Sequence, residues 1–76
     1  MLTLSEKWIK KLVSQPETGM GYHIVTVKLK DGTIFNQVVV DSGFITKIKG
    51  IKDIPFKEDD IQDITVTHDK WNFDRE

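Results

Sequence analysis

The chain changes its hydrophobic period once. Over residues 4–14, Leu4, Trp8, Ile9, Leu12 and Val13 recur at helical spacing, while Glu6, Lys7, Lys10, Lys11 and Ser14 take the opposite face. Thr3 and Glu6 have the spacing of a capping box, and Pro16 disfavours helical geometry at Gln15, so the pattern predicts a helix over 4–14. After the loop Pro16-Glu17-Thr18-Gly19-Met20-Gly21 the period falls to two. Residues 22–30 and 33–40 flank Asp31-Gly32, a strong hairpin signal, and predict two antiparallel strands. Asp41-Ser42-Gly43 suits a three-residue loop into a third strand over 44–49. A loop containing Ile54, Pro55 and Phe56 then leads to Ile61-Gln62-Asp63 and a fourth strand over 64–68. Trp71 and Phe73 fall out of step with Ile64, Val66 and His68, which places a bend near Asp69-Lys70.

A two-residue turn at Asp31-Gly32 sets Leu29 opposite Ile34, Val27 opposite Asn36, Val25 opposite Val38 and His23 opposite Val40. The predicted core is Trp8, Leu12, Val25, Val27, Leu29, Ile34, Val38, Val40, Phe44, Ile48, Ile64 and Val66. Asn36 and His23 are its polar exceptions, expected near sheet ends or with hydrogen-bond partners. The opposite face carries Tyr22, Ile24, Thr26, Lys28 and Lys30 against Asp41, Val39, Gln37, Phe35 and Thr33, joined by Ile45, Lys47 and Lys49. The expected fold class is α+β: an N-terminal helix packed on a twisted antiparallel meander of four or five strands. That sheet either closes as an SH3-like barrel or stays open under the helix.

Seventy-six residues make one domain, 1–76, with a single small core. The absence of cysteine excludes disulfides, thiolate nucleophiles and cysteine zinc sites. No apolar run approaches the roughly 18 residues of a membrane span, and the lysine-bearing start lacks the layout of a secretory signal, so a cytoplasmic location is expected, with no membrane partner. The net charge of −1 conceals an asymmetry. Residues 1–52 carry eight lysines against four carboxylates, whereas residues 53–76 carry three cations against eight carboxylates. No block of five like charges occurs in either half, which favours two halves attracting one another within one fold.

Candidate chemistry is sparse. Ser42 beside Asp41, with His23 opposite Val40, is the only arrangement that touches on nucleophilic catalysis. An Asp-Ser-Gly turn needs those residues for its own geometry, and no nucleophile elbow accompanies them, so no catalytic residue and no enzyme activity are expected. His23, His68 and Asp69 would meet if the fourth strand lay beside the first, but two isolated histidines lack ligand spacing. Glu58, Asp59, Asp60 and Asp63 lack the alternating pattern of a calcium loop and read as an acidic helical start. Gly19-Met20-Gly21 precedes a strand, not the helix a phosphate cradle requires. No metal and no cofactor are expected.

Two surfaces remain. Tyr22, Ile24, Val39 and Ile45 form an apolar patch on the non-core face, suited to a protein partner or to a second copy of the chain in a homodimer. Lys28, Phe35, Lys47 and Lys49 form a band of lysines around one aromatic, which a single-stranded RNA or DNA would use for phosphate contacts and stacking. Arginine is absent from that band, so nucleic acid is the lesser expectation.

Val25-Thr-Val-Lys-Leu-Lys-Asp-Gly-Thr-Ile-Phe, followed by Val38-Val-Val-Asp41, resembles the first conserved segment of Sm-like proteins, small SH3-like barrels with an N-terminal helix. The Leu29/Gly32 spacing and Asp41 carry the resemblance, which implies a small barrel. Asn36 stands where the family prefers glycine, and Ile45 where it prefers a base-contacting asparagine. Lys49-Gly50 is similar to the family's basic-glycine pair but arrives a strand early, so RNA binding does not transfer to these residues. The sequence therefore predicts a non-catalytic interaction module, with single-stranded nucleic-acid binding as the alternative.

Overall fold

The computed structural model describes residues 1–71; Phe73 lies outside them. One short helix and five antiparallel strands form an α+β unit. The elements run β1 (Leu2–Thr3), α1 (Glu6–Val13), β2 (Tyr22–Leu29), β3 (Ile34–Asp41), β4 (Phe44–Ile48), a 3-10 turn (Glu58–Asp60) and β5 (Ile61–Val66). The sheet order is β1-β4-β3-β2-β5. β1 and β5 are its edges, and no ladder joins them among the described residues.

The chain's first residues differ from their expected role. Thr3 is extended and pairs with Phe44, as Leu2 pairs with Ile45, so Thr3 caps nothing. Ser5 takes the N-cap position without a side-chain cap, and α1 is correspondingly shorter than 4–14. The Ser5 N–H donates instead to Glu58 Oε1 at 3.2 Å, and the Leu4 N–H to the Gly43 carbonyl at 2.9 Å. At its other end the helix stops where Pro16 requires. Lys11 Nζ then reaches Asp63 Oδ1 on β5 at 2.7 Å, tying the basic first half to the acidic second half. Trp8 and Leu12 sit in one buried cluster with Val25, Val27, Val38, Val40 and Ile64.

Both hairpin loops differ from expectation, and the difference decides which residues are inside. The first loop holds three residues, because the Leu29 N–H donates to the Thr33 carbonyl at 2.8 Å. Gly32 supplies its left-handed residue at φ +92°. The Thr33 N–H donates to the Asp31 carboxylate at 2.9 Å, which holds that carboxyl below its ordinary pKa. Ladder partners near the turn are therefore Lys28 with Ile34 and Val27 with Phe35. A bulge follows, in which Asn36 and Gln37 together oppose Thr26, and Gln37 adopts φ +54°. Beyond it the expected register returns, Val25 with Val38 and His23 with Val40.

The second loop holds two residues, Ser42 and Gly43, at φ +53° and +82°, so Asp41 pairs with Phe44 and Val40 with Ile45. Another bulge, at Thr46, then brings Val39 opposite Lys47 and Val38 opposite Ile48. Each slip exchanges neighbours between faces, since side chains alternate along a strand. Phe35 packs on the core while Ile34 is exposed, and Ile45 is fully buried while Phe44 is only half-buried. Asn36, expected on the core face, is exposed and accepts a hydrogen bond from Thr26 Oγ1 at 3.0 Å. Leu4, Phe56 and Ile61 complete the core, with the Phe35 and Phe56 rings 5.2 Å apart.

Strand β5 pairs with β2 from Val25–Val66 to Leu29–Ile61 and ends at Val66, two residues earlier than expected. The bend falls at His68, whose φ is +58°. The Thr67 and His68 N–H groups donate to the Ile24 carbonyl, and Gln37 Nε2 donates to the Asp69 carbonyl at 3.1 Å. Because β2 lies between β5 and β3, the chain after Val66 must cross β2 to reach Gln37. It passes over the outer face of the sheet, and Trp71 on this segment is half-buried.

Candidate functional site

The four residues expected to form an apolar docking patch do not offer one. Ile24 and Val39 are buried and directly paired, outside the core cluster. Ile45 is on the other face altogether, in the core. The Tyr22 ring lies against Gly19, whose backbone takes it at a distance that leaves no room for a Cβ. Placing these four on one open face required an in-register sheet, and the bulge at Thr46 together with the crossing segment removes that condition.

The lysine band is likewise divided. Phe35, its intended stacking ring, has turned to the core side against Phe56. Lys28, Lys47 and Lys49 are exposed, but Lys28 lies opposite Asp63, whose carboxyl is held below its ordinary pKa. The hydrogen bond from Lys11 dominates that lowering, with the Lys28 charge a minor contributor.

The histidines are separated by their partners. His23 Nε2 is 3.2 Å from the Gln15 carbonyl, while His68 Nδ1 is 2.6 Å from Thr18 Oγ1. Among the described residues no group of three ligating side chains is placed to hold a metal ion. Ser42 Oγ donates to Asp41 Oδ1 at 2.8 Å within the β3–β4 turn. Glu58, Asp59 and Asp60 form the 3-10 turn, closed by the Lys57 N–H donating to Asp60 Oδ2.

A concavity with mixed chemistry lies elsewhere. A cleft of about 340 Å3 separates the C-terminal half of α1 from the β3–β4 turn, with Gly21 at the end of the helix–sheet loop on its wall. Ile9, Leu12, Val13 and Val40 give it an apolar floor, and Glu17, His23 and Ser42 are its polar side chains. Val13 is 71% exposed. Gly43 is required here twice over: its φ is left-handed, and a Cβ would come 3.0 Å from Ile9 Cδ1. A second concavity of about 320 Å3, beside Ile48, Gly50, Ile51 and Lys52, has no buried polar group among its lining side chains.

Sequence reasoning passed over the cleft because its walls come from three separated segments. One signal was present: His23 is a polar residue at a core position, and it is the one polar or charged side chain buried among the described residues. Comparison with protein-family models, with curated proteins and with solved structures finds no match to this chain.

Proposed function

We propose that this protein is a small, non-catalytic interaction module that docks a partner protein in the cleft between α1 and the β3–β4 turn. The observation that carries the reading is the combination of an apolar floor, an open Val13 wall and a buried histidine in one cleft of about 340 Å3. Pockets that hold ligand groups have this makeup, mostly apolar with a few placed polar atoms, and volumes from about 300 Å3 upward. The hydroxyl and imidazole groups are engaged with turn and loop atoms, which speaks against their use as nucleophile and base. Self-association through Ile24, Val39 and Ile45 is less favoured, because those side chains are already covered. Single-stranded nucleic acid remains the weaker alternative, resting on Lys28, Lys47 and Lys49 without Phe35.

The test is selection of displayed peptides on the folded protein, followed by amide-shift mapping of the selected peptides and of a mixed short oligonucleotide. The expected result is peptide-induced shifts at Ile9, Val13, Gly21, Ser42 and Gly43. Val13→Asp should weaken that binding by about tenfold, since it puts a charge against an apolar contact. Peptides mapping elsewhere, or oligonucleotide shifts at the three lysines with none at the cleft, would overturn the reading.

A further inference from the structure

The hydrogen-bonding pattern of the cleft says what its partner must bring. The Gln15 carbonyl can only accept, so His23 Nε2 carries the proton and, in the neutral ring, Nδ1 is left as an acceptor. Nδ1 has no partner among the described residues, although His23 as a whole is only 8% exposed. No buried side-chain nitrogen or oxygen in the described residues goes without a partner, so Nδ1 is not sealed in the interior, and His23 lines the cleft. The Ser42 hydroxyl already donates its hydrogen bond to Asp41, and its lone pairs are acceptors too. The third polar side chain is the Glu17 carboxylate, an acceptor and an anion. All three polar side chains therefore present lone pairs, and no cationic side chain lines the cleft. A carboxylate or phosphate would meet three acceptors and find no charge to pair with. A group with several N–H donors and a positive charge satisfies all of them.

We propose that the cleft binds the free N-terminal ammonium of a partner peptide whose first side chain is apolar. The ammonium donates to His23 Nδ1 and Ser42 Oγ and pairs with Glu17, while the side chain lies on Ile9, Val13 and Val40. This rests on the reading of the cleft as the docking surface, and the two are separable by experiment.

The labelled full chain is titrated with Phe-Ala-Ala-Ala amide bearing a free amine, and with the same peptide N-acetylated. The readouts are the amide shifts of Ile9, Val13 and Gly43 and the side-chain nitrogen shift of His23 Nδ1. The expected result is saturable shifts at all four, with the acetylated peptide weaker by about tenfold, the scale of one charge-assisted hydrogen bond. Glu17→Gln, an exposed substitution outside every regular element, should weaken the free-amine peptide by about threefold to fivefold and leave the acetylated one unchanged. Equal affinities for the two peptides at the cleft would overturn the ammonium assignment while leaving the cleft as the docking surface. Shifts confined to residues outside the cleft would overturn both. No binding by the free-amine peptide would overturn the assignment alone, the peptide selection then deciding on the cleft.

Discussion

Two pairs of neighbouring residues, Ile34/Phe35 and Phe44/Ile45, decide which side of this sheet is chemistry and which is core. In an in-register hairpin Phe35 would be a surface ring between lysines. The slip at Asn36 and Gln37 turns it inward against Phe56, at a cost met locally by a non-glycine residue with φ +54°. Phe35→Ala should therefore lower stability by about 2 kcal/mol, less than the loss for a fully buried phenylalanine because the ring is only half covered. A urea midpoint measures this directly, and a change below about 0.5 kcal/mol, usual for surface positions, would return Phe35 to the lysine face. Periodicity made both strands legible, but each face assignment hung on one residue of loop length. Asp31-Gly32 and Ser42-Gly43 both permit two- or three-residue loops, and nothing local in the sequence separates those choices.

Helix α1 illustrates a different limit at the scale of elements. Its stop before Pro16 could be read directly, and of its apolar stripe Trp8 and Leu12 are buried, while Ile9 is half-buried, Val13 is exposed and Leu4 precedes the helix. Its start could not, because Leu2 and Thr3 gain ladder bonds to β4 that a capping box competes with. The helix is anchored across the chain by Lys11 and Asp63, whose side chains are 38% and 51% exposed, so the pair contributes only about 0.5 kcal/mol. Asp63 is held below its ordinary pKa in the fold, chiefly by the Lys11 hydrogen bond. Such a lowered carboxyl adds stability that is complete above its unfolded pKa and is lost as pH falls through its folded value. Lys11→Met should thus cost about 0.5 kcal/mol at neutral pH and almost nothing in strong acid, where Asp63 is protonated in both proteins. Paired urea titrations at the two pH values check the sign; an equal loss at both would assign the role of Lys11 to packing over Trp8, where its Nζ lies 5.9 Å from the ring.

At the scale of the molecule, one helix cannot cover both faces of a five-stranded sheet, and the chain resolves this by folding its own continuation back. α1 contributes Trp8 and Leu12 to the core cluster, and the segment after Val66 bonds to the Ile24 carbonyl and the Gln37 side chain. A chain ended after Val66 should expose Ile24 and Val39, lose stability and self-associate in sedimentation velocity, whereas the full chain sediments as a monomer at the same concentration. A truncated chain that stays monomeric and equally stable would show that the segment covers nothing of consequence. The cleft beside His23 is an open concavity lined by a buried polar side chain. It was hidden from sequence reasoning because Ile9, Glu17, His23 and Gly43 converge only after the sheet and helix are assembled.

Two register slips place Phe35 and Ile45 on the core side of the sheet. A side-chain NOE map of the isotopically labelled protein tests them together. The predicted result is contact between the Phe35 and Phe56 rings and between Ile45 and the buried Val40 and Trp8 cluster, with none from Phe35 to the Lys49 methylenes. Contacts from Phe35 to both Lys28 and Lys49, with Ile45 beside Ile24, would restore the in-register sheet and contradict the account.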